Sequence, residues 1–133
     1  FYGGRSADDL FYLSFFERLG VRIVLTTEDG SRGEAGLVTG PLERELKTTP
    51  PEAPLMIYAC GPTAMMRAVA DLGTTYHQPT EVSLEPVMGC GLGGCYSCVV
   101  RIRADSAAGR FVRACLDGPV FSADRILWDE LAS

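Results

Sequence analysis

The chain has 133 residues, 47% of them hydrophobic and 22% charged, with 15 Gly and 8 Pro. That length holds one ordinary domain or two very small ones, and the composition is globular rather than disordered, collagen-like or coiled-coil. The net charge of −5 argues against a general nucleic-acid binder, and no apolar run approaches the ~20 residues that span a bilayer.

In chain order, residues 6–19 read as a helix. Ser6 is a candidate cap, Asp8 and Asp9 suit its first turn, Leu10, Leu13, Phe15 and Phe16 give an apolar face, and Gly20 stops it. Residues 21–27 read as a buried strand rich in β-branched side chains, and 28–36 as a polar loop. Thr39 opens a short helix to Lys47, with Pro41 tolerated in its first turn, and a proline-bearing linker follows. Residues 55–60 read as a strand. Gly61-Pro62 turns it into a helix ending at Leu72, with Pro62 at the first helical position and Gly73 past the end. Residues 80–84 form a short strand. This alternation predicts an α/β fold with a parallel sheet.

After residue 85 the helical period disappears, and short strands remain at 99–103, 111–114 and 120–121. The negative balance lies entirely before residue 86, whereas four of the five cysteines lie after it. The expected organisation is therefore an acidic α/β domain over 1–85 and a loop-rich β module over 86–133. The chain begins at Phe1, on what reads as the end of a strand, so a fragment of a longer polypeptide is expected. Five cysteines leave one over from any closed disulfide set. Together with the tight spacing, this suggests metal binding in a reducing cytoplasm.

The spacing of Cys90, Cys95, Cys98 and Cys115 is C-x4-C-x2-C-x16-C. This is the plant-type [2Fe–2S] arrangement, with three ligands on one wrapped loop and a distant fourth. Gly89, Gly91, Gly93 and Gly94 suit a sharp loop that turns backbone N–H groups toward sulfur. A structural zinc site, which more often shows paired C-x2-C spacings, is the alternative, as are plain thiols. Arg101, Arg103, Arg110 and Arg113 lie between the third and fourth cysteines. They either offset cluster charge or alternate outward along strands, and the i, i+2 spacing of Arg101 and Arg103 favours the second.

Ser83-Leu84-Glu85, Met88-Gly89-Cys90-Gly91, Cys95-Tyr96-Ser97-Cys98 and Cys115-Leu116-Asp117-Gly118-Pro119-Val120-Phe121 together resemble the electron-transfer subunits of NAD-dependent (class 1B) dihydroorotate dehydrogenases. Tyr2-Gly3-Gly4-Arg5, Asp29-Gly30-Ser31, Gly36-Leu37-Val38-Thr39 and Cys60-Gly61-Pro62-Thr63-Ala64-Met65 are similar to that family's NAD-binding domain, of the ferredoxin–NADP reductase superfamily. The resemblance implies a truncated Rossmann-like domain followed by a [2Fe–2S] module, and a role in pyrimidine biosynthesis. It also implies FAD and NAD in the full-length protein, and a heterotetramer with a catalytic subunit carrying FMN. In that family electrons pass from FMN through the cluster to FAD and on to NAD.

The resemblance places Cys60, with Gly61 and Pro62, near the nicotinamide, and Gly3 and Arg5 near the nucleotide. Cys60 otherwise reads as a small strand residue, Arg5 as a surface arginine, and Asp29-Gly30-Ser31 as a turn. Met65 and Met66 are expected in the core and His77 on the surface. Leu92, Tyr96 and Phe121 are candidate partner contacts. The flavin-binding barrel and a credible G-x-G-x-x-G turn are absent from these 133 residues, so this stretch is not expected to hold FAD or to complete the reaction alone. No nucleophile–base or paired-carboxylate constellation emerges, and no catalytic acid or base is assigned. Another flavin and iron–sulfur NAD(P)H reductase component is the rival reading, and a zinc-stabilised binding module is a rival of a different class.

Overall fold

The computed structural model describes residues 1–50, 52–104 and 109–131. The chain divides into two compact units, Phe1–Thr49 and Pro50–Ser133. That division lies well before residue 85, where the composition changes.

In the first unit three short strands form a parallel sheet in the order β1-β2-β3: β1 is Tyr2–Gly4, β2 Leu25–Thr27 and β3 Glu34–Ala35. The expected helix over 6–19 is broken. A 3-10 turn at Ala7–Asp9 is followed by α1, Leu13–Arg18, with Tyr12 at φ 57° between them. Tyr2 explains the break. Its hydroxyl donates to the Asp9 carbonyl at 3.2 Å and accepts the Phe11 N–H at 2.9 Å. Groups that a continuous helix would pair internally are thus satisfied from β1. The strand expected at 21–27 is confined to its last three residues, and the expected loop contains β3. Helix α2, Thr39–Thr48, buries Pro41, Leu42 and Leu46.

The second unit holds β4 (Ile57–Cys60), α3 (Thr63–Thr75), β5 (Thr80–Ser83), β6 (Val99–Ile102), β7 (Arg110–Arg113), α4 (Ala114–Asp117) and β8 (Val120–Ser122). Strand β4 pairs parallel to β5, and β8 adds antiparallel on the other side of β5. Strands β6 and β7 form a separate antiparallel ladder. Pro62 stands at the N-cap of α3, not at its first helical position. Gly73 lies inside α3, which continues to Thr75. It is glycine because Thr80 packs onto it: a Cβ there would stand 2.0 Å from Thr80 Oγ1.

One apolar core serves this unit. Met66, Ala70, Val82 and Leu84 pack with Val100, Ile102, Val112, Phe121 and Ile126, and Met65 lies against them. Each large aliphatic or aromatic side chain buried there contributes about 1.5–3 kcal/mol. The loop-rich segment after residue 85 therefore shares its core with α3 and β5 and does not depend on a small core of its own. Phe121, expected as a partner contact, is a core residue at 8% exposure. His77 is exposed, as expected. Among the described residues no helix is long and apolar enough to cross a membrane.

Candidate metal centre

Residues 90–98 form an open loop between β5 and β6 whose course depends on left-handed backbone at Gly91, Gly93 and Tyr96, with φ 66°, 79° and 59°. For Tyr96, which carries a Cβ, this conformation is uncommon. The Arg113 guanidinium lies over the Tyr96 ring, 5.5 Å from its centroid. Gly89 is needed for close approach, since a Cβ there would stand 2.8 Å from Cys95 Sγ. Gly93 is buried, packed beneath Leu116.

This path turns N–H groups onto sulfur. Leu92 and Gly94 each donate to Cys90 Sγ at 3.3 Å, and Cys90 N–H donates to Cys95 Sγ at 3.3 Å. Ser97 Oγ lies 3.3 Å from Cys95 Sγ. The Ser97 hydroxyl, followed by its backbone N–H and by Cys90, lowers Cys95 to about 6. The Leu92 N–H is the largest influence lowering Cys90. Cys98, 3% exposed, ends the loop, and its carbonyl accepts the Ala114 N–H at 3.0 Å. This joins the loop to α4, the turn that carries Cys115. Cys98 is the main cause of the raised Cys115 pKa, ahead of burial, while the Gly93 N–H opposes it.

Cys90 and Cys95 are thus joined through the Cys90 N–H, and Cys115 feels Cys98 first and Cys90 as well. Among the described residues, no three His, Cys, Asp or Glu side chains converge as a ready single-ion site. A [2Fe–2S] cluster takes four thiolates shared between two irons, in a loop that offers N–H donors to sulfur. Four thiols on one loop and the adjoining turn, with N–H groups directed at sulfur, fit that demand. Lowered pKa values at Cys90 and Cys95 ease the required deprotonation, whereas binding at Cys115 has to displace a held proton.

The other expected site residues lie elsewhere. Cys60, at the carboxyl end of β4, lies 3.4 Å from Glu85 Oε1. Partial burial raises its pKa, and Glu85 raises it further. Gly61 follows at φ 146°, with the Met65 methyl against it. In the other unit Gly3 has no room for a side chain, since a Cβ would stand 3.0 Å from both Thr26 Oγ1 and Val38 Cβ. Arg5 is paired with Asp9, whose carboxylate also takes the Arg5 N–H at 3.0 Å. Ser31 accepts the Ala7 N–H at 2.8 Å and donates to Asp29 at 2.6 Å. The turn after β1 is therefore tied to the turn after β2.

Three contacts had no signal in residue spacing: Ser97 on Cys95, Glu85 on Cys60, and Arg113 on Gly93. Arg113 Nη1 donates to the Gly93 carbonyl at 2.8 Å, so this arginine is not merely an outward strand residue. Arg101 instead pairs with Glu130 at 2.9 Å and lies over Phe111.

Comparison with known proteins points to the same stretch of chain. Residues 85–127 match the family described as the iron–sulfur cluster binding domain of dihydroorotate dehydrogenase B. The electron transfer subunit of dihydroorotate dehydrogenase B (NAD(+)) from Caldanaerobacter subterraneus subsp. tengcongensis is 36% identical over 120 residues, 90% of this chain and 46% of that protein. The subunit of the same name from Listeria monocytogenes serotype 4b is 41% identical over 124 residues, 93% of this chain and 45% of that protein. A solved structure of the NADH-dependent reduced ferredoxin-NADP oxidoreductase, described for flavin-based electron bifurcation, superposes with a TM-score of 0.76 at 32% identity. It covers 97% of this chain and 44% of that one. The chain thus spans about half the length of the curated relatives it matches. The resemblance read from the sequence is borne out: residues 85–127 match the iron–sulfur cluster binding domain of dihydroorotate dehydrogenase B, in a chain similar over nine-tenths of its length to that enzyme's electron transfer subunits.

Proposed function

We propose that this chain is the nucleotide-side and cluster-bearing part of an electron-transfer subunit of NAD-dependent dihydroorotate dehydrogenase, working in the cytoplasm. The observation that carries the reading is a cysteine loop whose N–H groups point at the sulfurs of Cys90 and Cys95.

Cys90, Cys95, Cys98 and Cys115 hold a [2Fe–2S] cluster, which supplies a one-electron carrier when bound. Leu92 and Gly94 donate to Cys90 and so favour the added negative charge of the reduced state. Leu92, 84% exposed, and Tyr96, 64% exposed, present an apolar rim beside the cysteines to an FMN-bearing catalytic subunit. Residues 1–85 serve the NAD side and 86–133 the cluster. Gly3 in β1 with Arg5 just after it, and Cys60 at the end of β4 with Gly61 and Pro62 after it, lie toward carboxyl ends of parallel strands, where ligands of open α/β sheets bind. FAD belongs with the same assembly.

The test is anaerobic preparation of the chain, with iron, sulfide and zinc analysis. The expected result is about two irons and two sulfides per chain, a visible absorption band, and an EPR signal after dithionite reduction. A colourless, EPR-silent protein with stoichiometric zinc would overturn the reading. A second reading, a component of a different flavin and iron–sulfur reductase, is supported by the likeness to the ferredoxin-NADP oxidoreductase. Co-purification with an FMN-bearing dihydroorotate-oxidising subunit favours the first; a stable complex with another flavoprotein favours the second.

A further inference from the structure

We propose that Arg113 is a positioning residue for the metal loop: it holds the Gly93 carbonyl, and so aims the N–H of the same peptide, that of Gly94, at Cys90 Sγ. This rests on the reading of the four cysteines as cluster ligands.

The argument begins with one peptide plane. The Gly93 carbonyl accepts from Arg113 Nη1 at 2.8 Å, and the Gly94 N–H donates to Cys90 Sγ at 3.3 Å. In a planar trans peptide the carbonyl and N–H point in opposite directions, so fixing one fixes the other. Glycine on both sides leaves this plane free to rotate. Gly93 is at φ 79°, and the position of a Cβ on Gly94 is open space. The two glycines therefore offer no side-chain barrier of their own to a flip of this peptide.

Arg113 is well placed to prevent it. Its backbone lies at the end of β7, and its own N–H is taken by Asp117 Oδ2 at 3.0 Å. Its guanidinium rests on the Tyr96 ring. The side chain is thus anchored at three points: the strand that leads to Cys115, the Tyr96 ring and the Gly93 carbonyl. It connects the element bearing the fourth cysteine to the loop bearing the other three.

The consequence is electronic. An N–H directed at a ligand sulfur favours the reduced cluster and raises its potential. Loss of the anchor frees the peptide, weakens that bond and lowers the potential. Loss of the arginine charge acts in the same direction, so the two causes have to be separated. Gly94→Ala separates them. The site has room for the methyl, and Gly94 is not among the glycines with positive φ. Flipping the peptide would drive φ at 94 toward the left-handed side, which alanine resists.

The experiment is an EPR-monitored redox titration of the cluster-loaded chain, its Arg113→Met and Gly94→Ala variants, and the double variant. Arg113→Met is expected to lower the potential, Gly94→Ala alone to leave it in place, and the double variant to recover part of the loss. An unchanged potential in Arg113→Met, or no recovery in the double variant, overturns the proposal; the second result would assign the effect to charge. If Arg113→Met does not retain a cluster, retention in the double variant supports the proposal and continued loss overturns it. A parent chain that takes up no cluster overturns the functional reading itself, and this inference with it.

Discussion

Gly73 and Thr80 meet without space for a single methyl: a Cβ on the glycine would stand 2.0 Å from the threonine Oγ1 and 3.1 Å from the Gln78 carbonyl oxygen. Here α3 is drawn onto the first residue of β5. Alanine is the better helix former by about 1 kcal/mol, but overlap of this size forces strand and helix apart, at about 1–3 kcal/mol. The overlap dominates, because the blocking atom sits on a short side chain 9% exposed. Gly73→Ala is expected to lower the thermal midpoint, measured by circular dichroism. A raised midpoint would show that helix propensity dominates.

The cysteines divide by role. Cys95→Ser should abolish or destabilise the cluster, because it removes one member of the Cys90–Cys95 pair. Cys60→Ser should leave the cluster spectrum intact, because Cys60 turns to Glu85 instead. Visible and EPR spectra of the two variants check both statements. A normal spectrum in Cys95→Ser would count against the ligand assignment.

In the metal-free chain the thiols titrate apart. Cys95 is lowered to about 6, first by the Ser97 hydroxyl, whereas Cys60 is raised by burial and by Glu85. At pH 7 Cys95 is therefore largely thiolate and Cys60 remains a thiol. Iodoacetamide should modify Cys95 before Cys60, as followed by peptide mass mapping. The sign for folding follows the lowered value. The contribution from Cys95 is fully present above the unfolded thiol pKa of about 8.5; it is lost as the pH falls through about 6. Ser97→Ala should move the Cys95 half-titration upward, and an unmoved titration would remove Ser97 as the cause.

Phe121 and Leu92 are both large apolar residues of the segment after residue 85, with opposite fates. Phe121 is 8% exposed and packs on Gly118, where a Cβ would stand 2.4 Å from its ring. Leu92 is 84% exposed. Phe121→Ala is expected to cost about 3–5 kcal/mol, and Leu92→Ala to stay within about 0.5 kcal/mol. Urea unfolding of the two variants measures the difference. On the function proposed above, Leu92→Ala should instead weaken association with a catalytic subunit, as read by co-purification.

Much of the site was legible because its signal is local. The cysteine spacing and the glycines between them occupy adjacent positions, and both reflect the tight loop that the chemistry demands. Strands β4 to β8 were legible from β-branched runs and turn residues. Contacts made across the fold were not. The Tyr2 hydroxyl that interrupts the first helix acts over 7 and 9 residues. Arg113 reaches Gly93 over 20 residues, and in sequence it is one of several arginines on short strands. Phe121 and Leu92 carry similar apolar character, so composition alone could not tell core from rim. Gly73 had the look of a helix stop because close packing and helix termination call for the same residue.

The pairing of β8 with β5 has a consequence for how this segment can be moved. The cysteine loop and its flanking strands rest on Met66, Ala70 and Val82, all of which precede residue 85. A shortened chain beginning at residue 86 would strip β8 of its neighbour and open the apolar face that Phe121 and Ile126 cover. Grafting the four cysteines into another scaffold therefore means carrying α3 and β5 along. The boundary that sequence composition draws at residue 85 falls inside a single unit, Pro50–Ser133, which has to be moved whole.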